Sequence, residues 1–271
     1  MCSLWRIFTD LTEFISLISG SSGNAAFISD GHTRLLVDCG MSGKRLEQAL
    51  CEIGSSAAEI DALLITHEHS DHVRGAGIIA RRHKIPVYAT LGTHSAMDVG
   101  KIDDSLRYVV TADSELTIGS IGIKPFAIPH DAAEPVGYSF FCGEKKLSIA
   151  TDIGKMNDGI LDAVKGSDEI ILESNHDIEM LRFGPYPFPL KQRILGSYGH
   201  LSNESASEAA LELVKSGTKK IMLGHLSKEN NRPEIAMLET YNMLTGAGVE
   251  IGGDVMLKVA DRYAVTKFDR P

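Results

Sequence analysis

The sequence predicts an α/β protein built as a four-layer αββα sandwich, on three observations. Strand-like segments alternate with helix-like ones, the strands fall into two runs that look antiparallel, and apolar run after apolar run ends in Asp or His. Loops at those strand ends are expected to gather along one edge, where a site can form. The 271 residues, 43% hydrophobic and 23% charged, suffice for a full core. No linker, repeat or low-complexity tract divides them, so a single domain over 1–271 is expected.

In chain order, Phe14 to Ile18 and Ala25 to Ser29 read as strands joined by Ser19-Gly20-Ser21-Ser22-Gly23-Asn24, a loop of small residues with free backbone amides. A third strand, Thr33 to Val37, ends at Asp38-Cys39-Gly40. Asp38 is either a turn aspartate or a carboxylate that orients a metal-binding His through its other ring N–H. Gly43 to Glu52 reads as a helix. The apolar run Ala62 to Ile65 then reads as a buried strand that delivers Thr66-His67-Glu68-His69-Ser70-Asp71-His72. In extended backbone His67 and His69 leave the same face and can meet one metal ion. Asp71 and His72 follow where a helix, His72 to Lys84, would begin, and can turn toward a neighbouring point, so two adjacent metals can be served. A merely histidine-rich surface turn has no need of a buried strand to aim it.

Further on, Pro86 to Ala89 is a short strand and 90–98 a helix carrying His94, a packing histidine. Strands at Glu115 to Ile118 and Ile121 to Ile128 lead into Pro129-His130-Asp131, and Val136 to Cys142 follows. This places His130 as a third ligand of the first metal. Lys146 to Ala150 delivers Asp152, a carboxylate that can bridge two cations. Glu169 to Leu172 precedes Glu173-Ser174-Asn175-His176-Asp177. The stretch Phe183 to Pro189 holds three of the nine prolines and reads as an ordered irregular loop. In Gly199-His200-Leu201-Ser202-Asn203, Ser202 or Asn203 can cap a helix over Glu204 to Lys215. Lys219 to Leu223 is a strand ending in Gly224-His225, and a helix from Pro233 to Leu244 and a strand from Val255 to Val259 complete the pattern.

The apolar N-terminal residues Leu4, Trp5, Ile7 and Phe8 are interrupted by Asp10 and Glu13, so no secretory leader is expected. No run approaches the roughly 20 apolar residues of a membrane span. Cys2, Cys39, Cys51 and Cys142 show no CxxC spacing, which fits reduced thiols in a cytoplasm; none reads as a metal ligand. A net charge of −9 argues mildly against a polyanion partner. Basic residues nevertheless cluster at Lys44-Arg45, Arg81-Arg82-His83-Lys84, Lys191 with Arg193, and Lys228 with Arg232, the last two beside other motifs.

The pattern HxHxDH at His67, His69, Asp71 and His72 resembles the signature of the metallo-β-lactamase superfamily. That resemblance also carries much of the weight for the four-layer arrangement. It implies five motifs in order, on Asp38, on His67 with His69, Asp71 and His72, on His130, on Asp152 and on His225. It further implies a first divalent ion held by His67, His69 and His130, a second held by Asp71, His72 and His225, and Asp152 between them. Such nitrogen and oxygen ligands suit zinc, manganese or iron. Two metals sharing a water give a bridging hydroxide that can cleave esters, thioesters, lactams or phosphodiesters.

Gly199-His200-Leu201-Ser202 and Gly224-His225-Leu226-Ser227 resemble the ribonuclease Z arrangement, which implies that His200 contacts a scissile phosphate. SLISGSSGNAAFI, LLVDCGMSGK, THEHSDHVRGAG, the Asn-His-Asp of ESNHDIEML, GPYP with LKQRI, GHLSN and GHLSKENN together are similar to the bacterial YycJ/WalJ (VicX-like) family. This implies a metal-dependent 5′ to 3′ exonuclease on double-stranded DNA, working with DNA-repair proteins, with Asp71 and His200 as catalytic residues. Expected substrate contacts are Ser22 and Asn24 in the small-residue loop, Tyr186 or Phe188 stacked on a terminal base, and Lys191, Arg193, Lys228 and Arg232 on flanking phosphates. His176 lies either near the metals or as a brace for the 183–189 loop. The competing readings are an RNA-processing or small-phosphodiester hydrolase of the same fold, and a non-catalytic metal- and DNA-binding regulatory protein.

Overall fold

The computed structural model describes residues 11–269, so Cys2 and the apolar run Leu4 to Phe8 lie outside the described residues. The strands are β1 (Glu13–Ile18), β2 (Ala25–Ser29), β3 (Arg34–Val37), β4 (Ala62–Leu64), β5 (Val87–Ala89), β6 (Arg107–Val109), β7 (Leu116–Ile118), β8 (Ile121–Ala127), β9 (Val136–Cys142), β10 (Lys145–Ala150), β11 (Glu169–Glu173), β12 (Lys220–Gly224), β13 (Met256–Val259) and β14 (Thr266–Lys267). They form two sheets, ordered β14-β1-β2-β3-β4-β5-β6 and β13-β12-β11-β10-β9-β8-β7.

Each sheet is half antiparallel and half parallel. β14 to β3 and β7 to β10 pair antiparallel, whereas β3 to β6 and β10 to β13 pair parallel. The expectation of two antiparallel runs therefore holds for only half of each sheet. Parallel neighbours need long crossovers, and these are helical. They include α1 (Gly43–Glu52), the pair α2 (Ser70–Val73) and α3 (Ala76–His83), α4 (Leu91–Ala96), α5 (Asp158–Val164), α6 (Ile178–Phe183), α7 (Phe188–Leu195), α8 (Asn203–Lys215) and α9 (Pro233–Gly246). The helix expected over His72 to Lys84 is broken at Arg74-Gly75, and it ends on Lys84 in the left-handed region. The irregular stretch expected over Phe183 to Pro189 is shorter, because α6 and α7 enter it from both sides.

The layering follows from side chains alternating across doubly covered strands. Leu36 and Leu63 face outward onto Leu46 and Leu50 of α1 and Ile79 of α3. Leu35, Val37 and Leu64 point inward and meet Tyr138, Phe140, Ile149 and Ile171 of the second sheet. Ile170, Leu172, Ile221 and Leu223 face Ala209 and Leu213 of α8 and Ala236 and Leu244 of α9. The result is the expected αββα order. Tyr138 ties the sheets together by donating its hydroxyl to Ile65 O at 2.8 Å.

The C-terminal ends of β3, β4, β10, β11 and β12 emerge along one edge, which is where open α/β sheets place their sites. Those ends carry Asp38, His67 to His72, Asp152, Glu173 and His225.

Candidate metal centre

Among the described residues five that are not glycine have positive φ, and three of them, Asp38, Asp152 and His225, stand at these strand ends. That conformation turns each side chain sharply out of its strand direction, at a backbone cost that the surrounding packing must sustain. Gly40 allows the first turn to close. A Cβ there would stand 1.7 Å from Asp71 O and 2.6 Å from Asn24 N, so the backbone of Asp71 can seat only against a glycine.

Asp38 is buried and accepts from Thr66 N at 2.9 Å, Thr66 Oγ1 at 2.9 Å and His72 Nδ1 at 2.8 Å. Of its two readings from sequence, the geometry favours the carboxylate that orients a histidine. With Nδ1–H donating to Asp38, His72 Nε2 is turned toward Asp152 Oδ2 at 3.3 Å and Asp71 Oδ2 at 3.7 Å. Thr66 Oγ1 gives its hydrogen to Asp38 and accepts from His67 Nδ1 at 3.0 Å. His67 Nε2 is therefore unprotonated, and it is buried with no hydrogen-bond partner. His130 donates Nδ1–H to Gly199 O at 3.1 Å, which leaves Nε2 3.2 Å from His69 Nδ1.

Four overlapping sets result, the ligand atoms within each lying within 4.8 Å of one another: His67, His69 and His130; Asp71, His72 and His225; His67, His72 and Asp152; and Asp152, Glu173, His200 and His225. The first two are the ligand sets expected from sequence, and the third puts Asp152 between them. The fourth reads as a brace rather than an ion site, because both imidazoles spend Nδ1–H on Glu173 Oε1, His200 at 2.9 Å and His225 at 2.8 Å.

Glu173 has no role in the sequence reading. Its carboxylate is fully buried, and Oε2 accepts from Ile153 N at 2.7 Å and Leu201 N at 3.0 Å, the residues after Asp152 and His200. One carboxylate thus fixes two rings and two loop backbones. The signal in the sequence is an acid directly after the apolar run Ile170 to Leu172, the same kind of signal that marks Asp38 and Asp152.

Charge in the cluster points to a cation. Burial opposes a charge on His72, but Asp152, Asp38 and Asp71 together hold its pKa at about 9. His225 is likewise pushed well up against burial, by Asp152, Asp71 and Glu173. Burial would raise Asp71 and Glu173, yet neighbouring imidazoles, His72 for the one and His200 with His225 for the other, hold both well below the usual range. On the other flank burial, then His72, His130 and His69, drive His67 well below its ordinary value. One side offers neutral nitrogen lone pairs and the other carboxylates stabilising positive charge. With His67 Nε2 and Asp152 Oδ2 buried and without a hydrogen-bond partner, this donor set fits divalent metal ions.

The phrases around residues 174–177, 199–203 and 224–231 meet in a buried amide network. Asn203 accepts from Ser174 Oγ at 2.7 Å and from Asn231 Nδ2 at 2.9 Å, and Asn231 also donates to Ser174 O and Asn175 O. Asn175 Nδ2 donates to His225 O at 2.9 Å. These asparagines position the backbone that carries His200 and His225.

Several expected substrate contacts are placed differently. Asn24 is buried, its side chain closing the loop onto Gly20 N and O and lying 3.1 Å from His72 Nε2. The backbone amides of Gly20, Ser21, Gly23 and Asn24 are also engaged, so the expected loop of free amides is a tightly bonded turn, with Ser22 exposed at its tip. Lys191 donates to Arg182 O at 2.7 Å and Gly184 O at 2.8 Å, capping the end of α6 instead of reaching out. Arg193 pairs with Asp131. Lys228 and Arg232 are exposed, although Arg232 also bonds Lys228 O and Asn231 O. Tyr186 is half-buried, and Phe188 is exposed. His176 is buried and lines a cavity together with His200. Cys39, Cys51 and Cys142 form no disulfide, and none of them belongs to the donor sets.

The Beta-lactamase superfamily domain family matches residues 33–226. The chain is 43% identical over 246 residues to exodeoxyribonuclease WalJ of Streptococcus pneumoniae (strain ATCC BAA-255 / R6), covering 89% of this chain and 91% of that protein. It is 39% identical over 258 residues to exodeoxyribonuclease YycJ of Bacillus anthracis, covering 94% and 98%. In fold it is similar to the metallo-β-lactamase fold protein YhfI from Bacillus subtilis, with a TM-score of 0.70, 16% identity and coverage of 94% and 99%. Among the described residues no helix is long and apolar enough to cross a membrane.

Proposed function

Because this chain belongs to the β-lactamase superfamily and, within it, to the WalJ/YycJ family, we propose that it is a metal-dependent phosphodiesterase that removes nucleotides from the 5′ ends of double-stranded DNA. The observation that carries the proposal is the donor cluster itself: two adjoining sets of nitrogen and oxygen atoms, two of them buried without a hydrogen-bond partner, in a chain so similar to exodeoxyribonucleases.

His67, His69 and His130 would hold one divalent ion and Asp71, His72 and His225 a second, with Asp152 between them. Zinc, manganese and iron all suit these donors. Bound there, such ions lower the pKa of a water and clamp phosphate oxygens. The chain's own residues set the geometry around that chemistry. Asp38 fixes the tautomer of His72, and Glu173 fixes those of His200 and His225. His200, with Nδ1–H spent on Glu173, presents Nε2 to a phosphate oxygen; as the imidazolium, which the Glu173 carboxylate favours, it would carry a second N–H there, to stabilise charge or to protonate the leaving oxygen. Lys228 and Arg232 supply contacts to flanking phosphates, and Phe188 a surface on which a base can stack. A cytoplasmic role in DNA repair, with the whole chain as one domain, accords with this reading.

The test is release of labelled nucleotide from 5′-end-labelled duplex DNA in Mn²⁺. His67→Ala should abolish release, and release that survives this change overturns the mechanism.

A further inference from the structure

Beside the donor cluster lies a cavity of about 530 Å³, inside the roughly 300–1,000 Å³ range of small-molecule sites. His200 and Gly154 form its border with the cluster. Its walls are mainly apolar, from Met156, Leu161, Ile178 and Leu195, and its floor carries His176 and Ser202. His176 is 1% exposed, and neither ring nitrogen has a hydrogen-bond partner. A buried imidazole without partners is costly unless something occupies the space that it faces. Its backbone is fixed, since His176 O accepts from Asn203 N at 2.9 Å and the residue bridges to Ser202.

The charges select the occupant. Glu208 and Glu212 of α8 stand at the mouth with Lys155 as the one cation of the lining, a balance that disfavours a phosphate inside. A flat group with apolar faces and a polar edge fits these walls. The phosphate attached to such a group would remain on the His200 side.

We propose that this cavity receives the nucleobase of the terminal nucleotide, with His176 hydrogen-bonding its edge and the apolar walls covering its faces. The proposal rests on the nuclease reading for the origin of that nucleotide, but binding tests it separately. Calorimetric titration of the intact protein with 2′-deoxyadenosine 5′-monophosphate should show binding at least about fivefold tighter than with 1′,2′-dideoxyribose 5-phosphate, the lower end of what one buried base contributes. His176→Leu, which keeps the volume, and Ser205→Tyr, which fills the mouth, should each weaken binding of the nucleotide by about fivefold and leave that of the sugar phosphate unchanged. Equal binding with and without the base overturns the proposal without need of any variant. Nucleotide binding indifferent to both substitutions overturns it as well. Base-dependent binding in a protein that releases nothing from labelled DNA upholds the cavity and overturns the nuclease reading instead.

Discussion

Glu173 Oε1 accepts from His200 Nδ1 at 2.9 Å while the same oxygen accepts from His225 Nδ1 at 2.8 Å. With Ile153 N and Leu201 N on its other oxygen, every partner of this carboxylate is a donor. A glutamine cannot replace it, because its NH₂ would face donors in either orientation. Glu173→Gln should therefore lower stability by about 1–3 kcal/mol for each donor left unpaired. It should also weaken metal binding about 10- to 100-fold through the loosened His225. Denaturant unfolding and competitive metal titration measure the two effects independently.

Removing metal should destabilise the fold. Without a divalent ion, the positive charge that faces Asp38, Asp71 and Asp152 among the described residues comes from protonated imidazoles that burial opposes. At metal concentrations about 100 times Kd, binding contributes roughly 2.7 kcal/mol, so chelation should lower Tm by about 5–10 °C for a chain of this size. Differential scanning calorimetry in chelator, then after adding back Mn²⁺ or Zn²⁺, checks both the loss and its reversal.

Gly40→Ala should damage the centre although residue 40 donates nothing to it. The added methyl collides with Asp71 O and Asn24 N, and the strain displaces Asp71 and, through the chain, His72. Overpacking of this kind costs about 1–3 kcal/mol. The informative result is metal affinity, which should fall even at a temperature where circular dichroism shows the variant folded.

A distant acid governs part of the pH dependence. Burial raises Glu169 to about 7, against an opposing pull from Lys220, whose Nζ is 3.5 Å from Oε2. The folded protein thus holds this proton more tightly than the unfolded chain. Its stabilising contribution is complete below the ordinary value of 4.5 and is lost as pH rises through about 7. Glu169→Gln should remove that loss. The Tm difference between variant and wild type should shift in the variant's favour between pH 4.5 and pH 8, and a difference independent of pH would refute the assignment.

Much of the centre was legible because its ligands either cluster locally, as in His67 to His72, or terminate an apolar strand, as do Asp152 and His225. Glu173 carries the second mark equally well. Its function, however, depends on His200 and His225, which come 27 and 52 positions later and meet it only in three dimensions. Lys191 shows the converse limit, since sequence displays a charge but not the carbonyls of Arg182 and Gly184 that occupy it. The parallel halves of the sheets were hidden for a related reason. Strands such as Leu35–Val37 and Ile170–Leu172 are apolar on both faces, so the alternation that distinguishes strand arrangements is absent. The exposed edge strand Arg107–Val109 and the short helices α5 to α7 carry too little periodicity to be read.

Because the metal-facing loops all leave the parallel strands at their C-terminal ends, the turns feeding the N-terminal ends of β10, β11 and β12 belong to the opposite edge. Glu144, Lys165 and Lys219 stand exposed in those turns. A fluorophore, a surface tether or a grafted peptide attached there would be separated from the chemistry by the full length of the strands. The two edges can accordingly be engineered as separate parts, one for catalysis and one for handling the molecule.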